Sequence, residues 1–150
     1  MSPDAMLKLR AEDSDDLAVI SACVQDALIS VRDLTYERAE HRFTLVVNRF
    51  RWEGKPDGAG GAAAYERTHA AITFDQVESV SYRGFRRSEE ERILSLLAIR
   101  VGDKPETIEL EFAGGAAVRL KVGAIRVRFA DIGEPWPTAW QPGHETGDAP

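Results

Sequence analysis

The sequence predicts an α+β fold, mainly antiparallel β, with about seven strands in a curved sheet, an N-terminal helix and a C-terminal helix. Three observations carry this. Apolar residues recur at alternate positions through most of the stretch from Ile29 to Val122, with β-branched and aromatic side chains prominent. A spacing of three and four appears near the N-terminus and again, alongside an alternating pattern, after Val122. Glycine-rich breaks at Gly54 to Ala64 and at Gly114-Gly115 separate the alternating runs.

Met6 to Arg10 alternates as a short strand, and the acidic run Glu12-Asp13-Ser14-Asp15-Asp16 follows it. Leu17, Ile20, Val24 and Leu28 then share one helical face, and the acids before them suit the electropositive start of a helix. Period two returns with Ile29 and Val31, Leu34 to Tyr36, and Phe43, Leu45 and Val47, which implies a hairpin around Arg38 to His41. Phe50 and Trp52 take the opposite parity to Phe43 and Leu45, so a bulge or sharp bend is expected after Val47.

Gly54 to Ala64 reads as a mobile loop. Strands are expected at Arg67 to Phe74 and Val77 to Phe85, with Val77, Ser79 and Ser81 on one face and Val80 and Tyr82 on the other. Ser88 with Glu91 fits a capping box, but the apolar run Ile93 to Val101 argues for a strand from about Arg92.

Ile108, Leu110 and Phe112 mirror Val118, Leu120 and Val122 across a glycine turn. A three-residue loop, Gly114 to Ala116, opposes Glu111 to Arg119 and Glu109 to Lys121, whereas a two-residue turn sets Glu111 against Val118. Val122, Ile125, Phe129 and Ile132 fit a helix closed by Gly133. Residues 1–140 form a single expected domain and 141–150 a disordered polar tail. A curved sheet plugged by a terminal helix is the order of elements found in pleckstrin-homology-like domains.

Composition narrows the function. The 150 residues carry 19 Lys+Arg against 25 Asp+Glu, a formal charge of −6, which weighs against nucleic acid as a partner. No apolar run approaches the roughly 20 residues of a membrane span. One cysteine, Cys23, and no basic-then-apolar leader point to the cytoplasm.

Cys23 lies on an apolar helix, so packing explains it better than catalysis. His41, His69 and His144 lack metal-ligand spacing, and Asp13, Asp15 and Asp16 lack the glycine and terminal glutamate of a calcium loop, so no metal or cofactor is expected. Gly58-Ala59-Gly60-Gly61 is followed by no Gly-Lys-Ser/Thr end and reads as a connection, not a phosphate loop.

The candidate binding residues are Arg49, Arg51 and Trp52 with Tyr82, Arg83 and Arg86, since guanidinium groups beside aromatic rings grip carboxylates or phosphates. The competing reading turns Phe50 and Trp52 inward and pairs the arginines with Glu53 or with Glu89 to Glu91. Trp136 and Trp140 are read as packing over the open end of the sheet.

Asn48-Arg49-Phe50-Arg51-Trp52-Glu53, Ile93-Leu94-Ser95-Leu96-Leu97-Ala98-Ile99, and the Gly114-Gly115 hairpin followed by Asp131-Ile132-Gly133 resemble the alphaproteobacterial family named "domain of unknown function 2948". The resemblance covers about Leu7 to Trp140, implies a bacterial cytoplasmic protein and brings no catalytic residues. Family members are more plainly helical after the last hairpin than Arg126-Val127-Arg128 here. The expectation is a non-catalytic module that binds a protein or small anionic ligand. The alternative is an enzyme or ligand-binding protein with a pocket inside the curved sheet, using Arg49, His69 or Tyr82.

Overall fold

In a computed structural model the described residues are 6–53, 65–104 and 106–138. Their elements are β1 (Lys8–Ala11), α1 (Ser14–Cys23), β2 (Leu28–Ser30), β3 (Leu34–Glu37), β4 (Arg42–Phe50), β5 (Tyr65–Phe74), β6 (Val77–Arg83), β7 (Ile93–Val101), β8 (Thr107–Phe112), β9 (Ala117–Val122) and β10 (Val127–Thr138). Every strand pairing is antiparallel, in the order β1-β10-β5-β4-β2-β7-β8-β9-β6, with β3 also on β4. The mainly antiparallel curved sheet is as expected, but it has ten strands and one helix among the described residues, not about seven strands and two helices.

β7 joins the two halves of the sheet. Its first residues, Ile93 to Ser95, pair with β2, and from Leu96 onward it pairs with β8. A register shift at Leu97 bends it between the two directions, and the Ile99 N–H donates to Ser21 Oγ of α1 at 2.9 Å. The helix packs against β1 and β7 with Leu17 and Ile20 buried, and Asp13 caps it by accepting the Asp16 N–H at 2.8 Å. Leu28 is not on that helix: Asp26 takes a positive φ of 64°, the chain turns, and Leu28 points outward from β2.

The expected C-terminal helix is instead β10, the longest strand. Val127, Phe129 and Asp131 face inward while Arg128, Ala130 and Ile132 face out, so the period-two reading of this ambiguous segment wins once β1 and β5 flank it. Gly133, at φ 74°, opens a bulge before Trp136 rather than stopping a helix. The resemblance to a helix-plugged barrel therefore fails at its plug.

Two local expectations change as well. β4 pairs with β5 without a register shift, because Arg49, not Phe50, continues the inward series Phe43, Leu45, Val47. On β6 a shift at Glu78 brings Val77 onto the inner side with Val80 and Tyr82. The β8–β9 loop has three residues as expected but sits one residue earlier, at Ala113 to Gly115, where Gly114 and Gly115 adopt φ of 79° and 85°. The register consequently pairs Glu109 with Arg119 and Glu111 with Ala117, and every side chain keeps its expected face. The segments expected as the Gly54 to Ala64 loop and the 141–150 tail lie outside the described residues.

Phe43, Leu45, Ile72, Phe74, Leu96, Leu110, Val118 and Phe129 fill the space enclosed by the curved sheet.

Candidate functional site

The six candidate residues separate into two groups. Arg49 is 0% exposed on the inner face of β4, although guanidinium groups are seldom buried without partners. Its Nε and Nη2 donate to Oδ1 and Oδ2 of Asp131, both at 2.8 Å. Nη1 and Nη2 donate to Oε1 and Oε2 of Glu53 at 3.0 and 2.6 Å, and Nη1 also reaches the Phe50 carbonyl at 3.3 Å. All five guanidinium N–H groups are thereby used.

Asp131 lies on β10, two strands away, and the small side chains of Thr68 and Ala70 on the intervening β5 let the guanidinium cross. The ring of Phe129 lies 5.4 Å below the guanidinium carbon. Asp131 completes its own bonding through Oδ2, which accepts the Leu7 N–H at 3.0 Å. Burial opposes the Arg49 charge, but its hydrogen bonds to Asp131 and Glu53 and their negative charges outweigh it and hold the pKa above the ordinary arginine value. Burial pushes the Glu53 carboxyl upward, but its hydrogen bonds to Arg49 and to the backbone, with the charges of Arg49 and Arg51, together outweigh it, so the carboxyl ends below the usual range.

Arg51 is buried beside this cluster and pairs with Glu66 and, at 3.7 Å, with Glu53. Trp52 donates its indole N–H to the Gln25 carbonyl at 3.2 Å and meets Phe50 edge-on at 4.8 Å. Arg67, which the sequence reading passed over, is also buried, on the outer face. It donates to Asn48 Oδ1 at 2.6 Å and to the Asn48 carbonyl at 3.0 Å. Desolvation lowers its pKa, and Asp26 partly offsets that.

In the second group Tyr82 is half-buried and the two arginines are exposed. Arg83 ends β6, the terminal strand of the sheet, and Arg86 lies in the turn that follows; both are exposed, and no described residue ion-pairs with either side chain. The turn is rigidly seated. Gly84 has φ 82°, and a Cβ there would lie 2.7 Å from the Gly115 oxygen and 2.8 Å from the Ala116 Cα, so only glycine fits against the β8–β9 hairpin. Phe85 packs edge-on to Tyr82 at 5.7 Å and to Phe112 at 6.5 Å.

Arg87 lies over the Tyr82 ring at 5.2 Å, donates to its hydroxyl at 3.0 Å and donates to the Leu34 carbonyl at 3.1 Å. Burial raises the Tyr82 pKa, with Arg87 partly opposing it. Beside Arg83, Ala117 floors a groove of about 210 Å³ between the side chains of Ser81, Arg83, Glu109 and Arg119.

The structure thus brings Arg49, Arg51 and Trp52 together at one place and Tyr82, Arg83 and Arg86 at another. Asp131 was missed, though a signal existed: Arg49 and Asp131 both occupy inward positions in alternating runs, where a lone charge needs an opposite one.

Cys23 is half-buried and burial pushes its thiol pKa up, away from the thiolate that a nucleophile needs. His69 packs against Trp136 at 4.9 Å. Among the described residues no three or more His, Cys, Asp or Glu side chains gather as metal ligands, and no helix is long and apolar enough to cross a membrane.

No curated protein and no solved structure matches the chain. A family model does, over residues 7–144, nearly the whole chain, and its span takes in both arginine groups, β1 and β10. The chain belongs to the family described as "Protein of unknown function (DUF2948)".

Proposed function

We propose that the protein is a non-catalytic interaction module of the bacterial cytoplasm that receives an acidic segment of a partner protein at Arg83 and Arg86. The observation that carries the reading is the contrast in pairing: Arg49 and Arg51 are consumed by carboxylates, whereas Arg83 and Arg86 are exposed and ion-paired to no described residue. A glycine-locked, aromatic-braced turn holds Arg86 near the end of β6, which reduces the ordering that binding has to impose. In the groove over Ala117, Arg119 is paired with Glu109 at 3.0 Å, which leaves Arg83 as the cation offered to an acidic side chain.

The pocket reading has less support. Apolar side chains fill the inner face of the curved sheet, Arg49 is engaged there, and His69 lies on the outside. Crosslinking in cells tests the proposal. Wild-type protein is expected to capture a specific partner in a salt-sensitive way, and an Arg83→Glu/Arg86→Glu variant to lose it. Equal capture by both proteins removes the reading.

A further inference from the structure

At the end of the sheet opposite to β6, like charges face each other. β1 is the terminal strand there and pairs with β10, setting Lys8 opposite Ala130 and Arg10 opposite Arg128. These four side chains share the outer face, since Ala11, Val127 and Phe129, which alternate with them, are buried on the inner one. Three of the four corners are cations. Two arginines directly across a strand pair repel, which destabilises the pairing unless an anion stands between them.

The nearby carboxylates are spent on other cations. Asp75 accepts from Arg128 Nε and Nη2 at 3.1 and 3.3 Å and also from Arg42 at 3.3 Å. Glu12 accepts from Arg126 at 3.3 Å, and the acids after it belong to the start of α1, where Asp13 and Asp16 accept backbone N–H groups. Lys8 and Arg10 are exposed, and neither ion-pairs with a described residue. Arg128 Nη1 likewise has no partner among the described residues. A surplus of positive charge therefore gathers on this edge of a chain whose formal charge is −6.

The fourth corner leaves room. Ala130 ends at its Cβ, and a groove of about 470 Å³ lies over it between Lys8, Arg10 and Arg128. Further inward Ala130 pairs with Ala71 and Arg128 with Thr73, so the floor stays low and a hydroxyl borders it.

The geometry points to a binding site for the phosphate group of a small soluble ligand, seated over Ala130 between Lys8, Arg10 and Arg128. Paired residues lie about 5 Å apart and diagonal neighbours about 7–8 Å, so one oxyanion over Ala130 is within reach of all three long side chains. Guanidinium groups take phosphate oxygens in pairs, and the ammonium supplies a point charge. A dianion placed there also removes the repulsion between Arg10 and Arg128. Protection of a strand edge from other chains explains a single charge on β1, but not a second arginine opposite the first.

Phosphorus NMR of the full chain titrated with inorganic phosphate tests this, at about pH 8, where the phosphate is mainly dianionic, with chloride holding ionic strength constant. The expected result is saturable binding with a dissociation constant of about a millimolar or below. It should weaken about tenfold or more in Arg10→Gln and in Lys8→Gln. Arg83→Glu/Arg86→Glu, at the other end of the sheet, should leave it unchanged. Thermal unfolding gives a second readout: phosphate raises the wild-type midpoint, whereas Arg10→Gln unfolds no lower than the wild type without phosphate and gains nothing from it. Absence of saturable binding overturns the inference, as does equal affinity in the wild type and Arg10→Gln. Loss of binding in Arg83→Glu/Arg86→Glu puts the phosphate elsewhere and overturns it too. Binding to phosphatidylglycerol vesicles without binding to inorganic phosphate assigns these cations to a lipid surface and overturns it equally.

Discussion

Arg49 and Arg86 are the same chemical group in opposite surroundings. Arg49 has every N–H spoken for and no contact with water; Arg86 is exposed and held through its backbone, its N–H donating to the Glu89 carboxylate at 2.7 Å and its carbonyl accepting the Glu89 N–H at 2.9 Å. The difference teaches that arginine beside aromatic residues in a sequence is not one signal. Parity within a strand separates the two: an arginine at an inward position must be neutralised by the fold, while one at a strand end or in a turn is available to a partner.

Breaking the buried side should be costly. Asp131→Ala leaves Arg49 charged, buried and short of its bidentate partner, and a loss of about 3–5 kcal/mol is expected in denaturant unfolding. The double change Arg49→Met/Asp131→Leu sharpens the point. It should recover much of that loss, because apolar groups of similar volume often replace a buried pair at little cost. Recovery no better than the single variant means that the pair itself, not the orphaned charge, carries the energy.

Gly84→Ala attacks the support of the exposed side. The new Cβ meets backbone at 2.7 Å under a positive φ, and a loss of about 2–3 kcal/mol is expected in thermal unfolding. An unchanged midpoint denies that the turn is locked.

The Glu53 carboxyl has a depressed folded pKa, so the unfolded chain binds its proton more readily. Its stabilisation is present above the ordinary glutamate value of about 4.3 and is lost as pH falls through the lower folded value. Glu53→Gln should flatten this part of the stability profile below about pH 4.5; identical profiles remove Glu53 from the ion cluster. The smallest effect is expected from Arg83→Ala and Arg86→Ala, each within about 0.5 kcal/mol of wild type by denaturant unfolding.

Much of this architecture is legible in the sequence because burial on one face imposes period two. The β3–β4 hairpin, β5, β7 and the facing of β8 and β9 follow from it. Val122 to Gly133 was not legible, since its apolar residues satisfy both periods and only the flanking strands β1 and β5, distant in sequence, decide. The bulge assigned after Val47 came from assuming that the inward residue must be apolar, whereas Arg49 occupies that position with Asp131 supplied from β10.

The binding candidates divide for the same reason. Composition identifies arginine and tryptophan, but their solvent access depends on which strand lies opposite.

The Arg49–Asp131 bond spans 82 residues, and Asp131 is tied in turn to Leu7 across 124. On the ribosome β1 and the arginine emerge before Asp131, and each waits for it before finding its partner. Synthesis proceeds at roughly 5–20 residues per second, so the wait lasts roughly 4 to 25 seconds. Closure of this end therefore waits until Asp131 has been made, and the unpaired arginine's positive charge favours a hydrated strand until then.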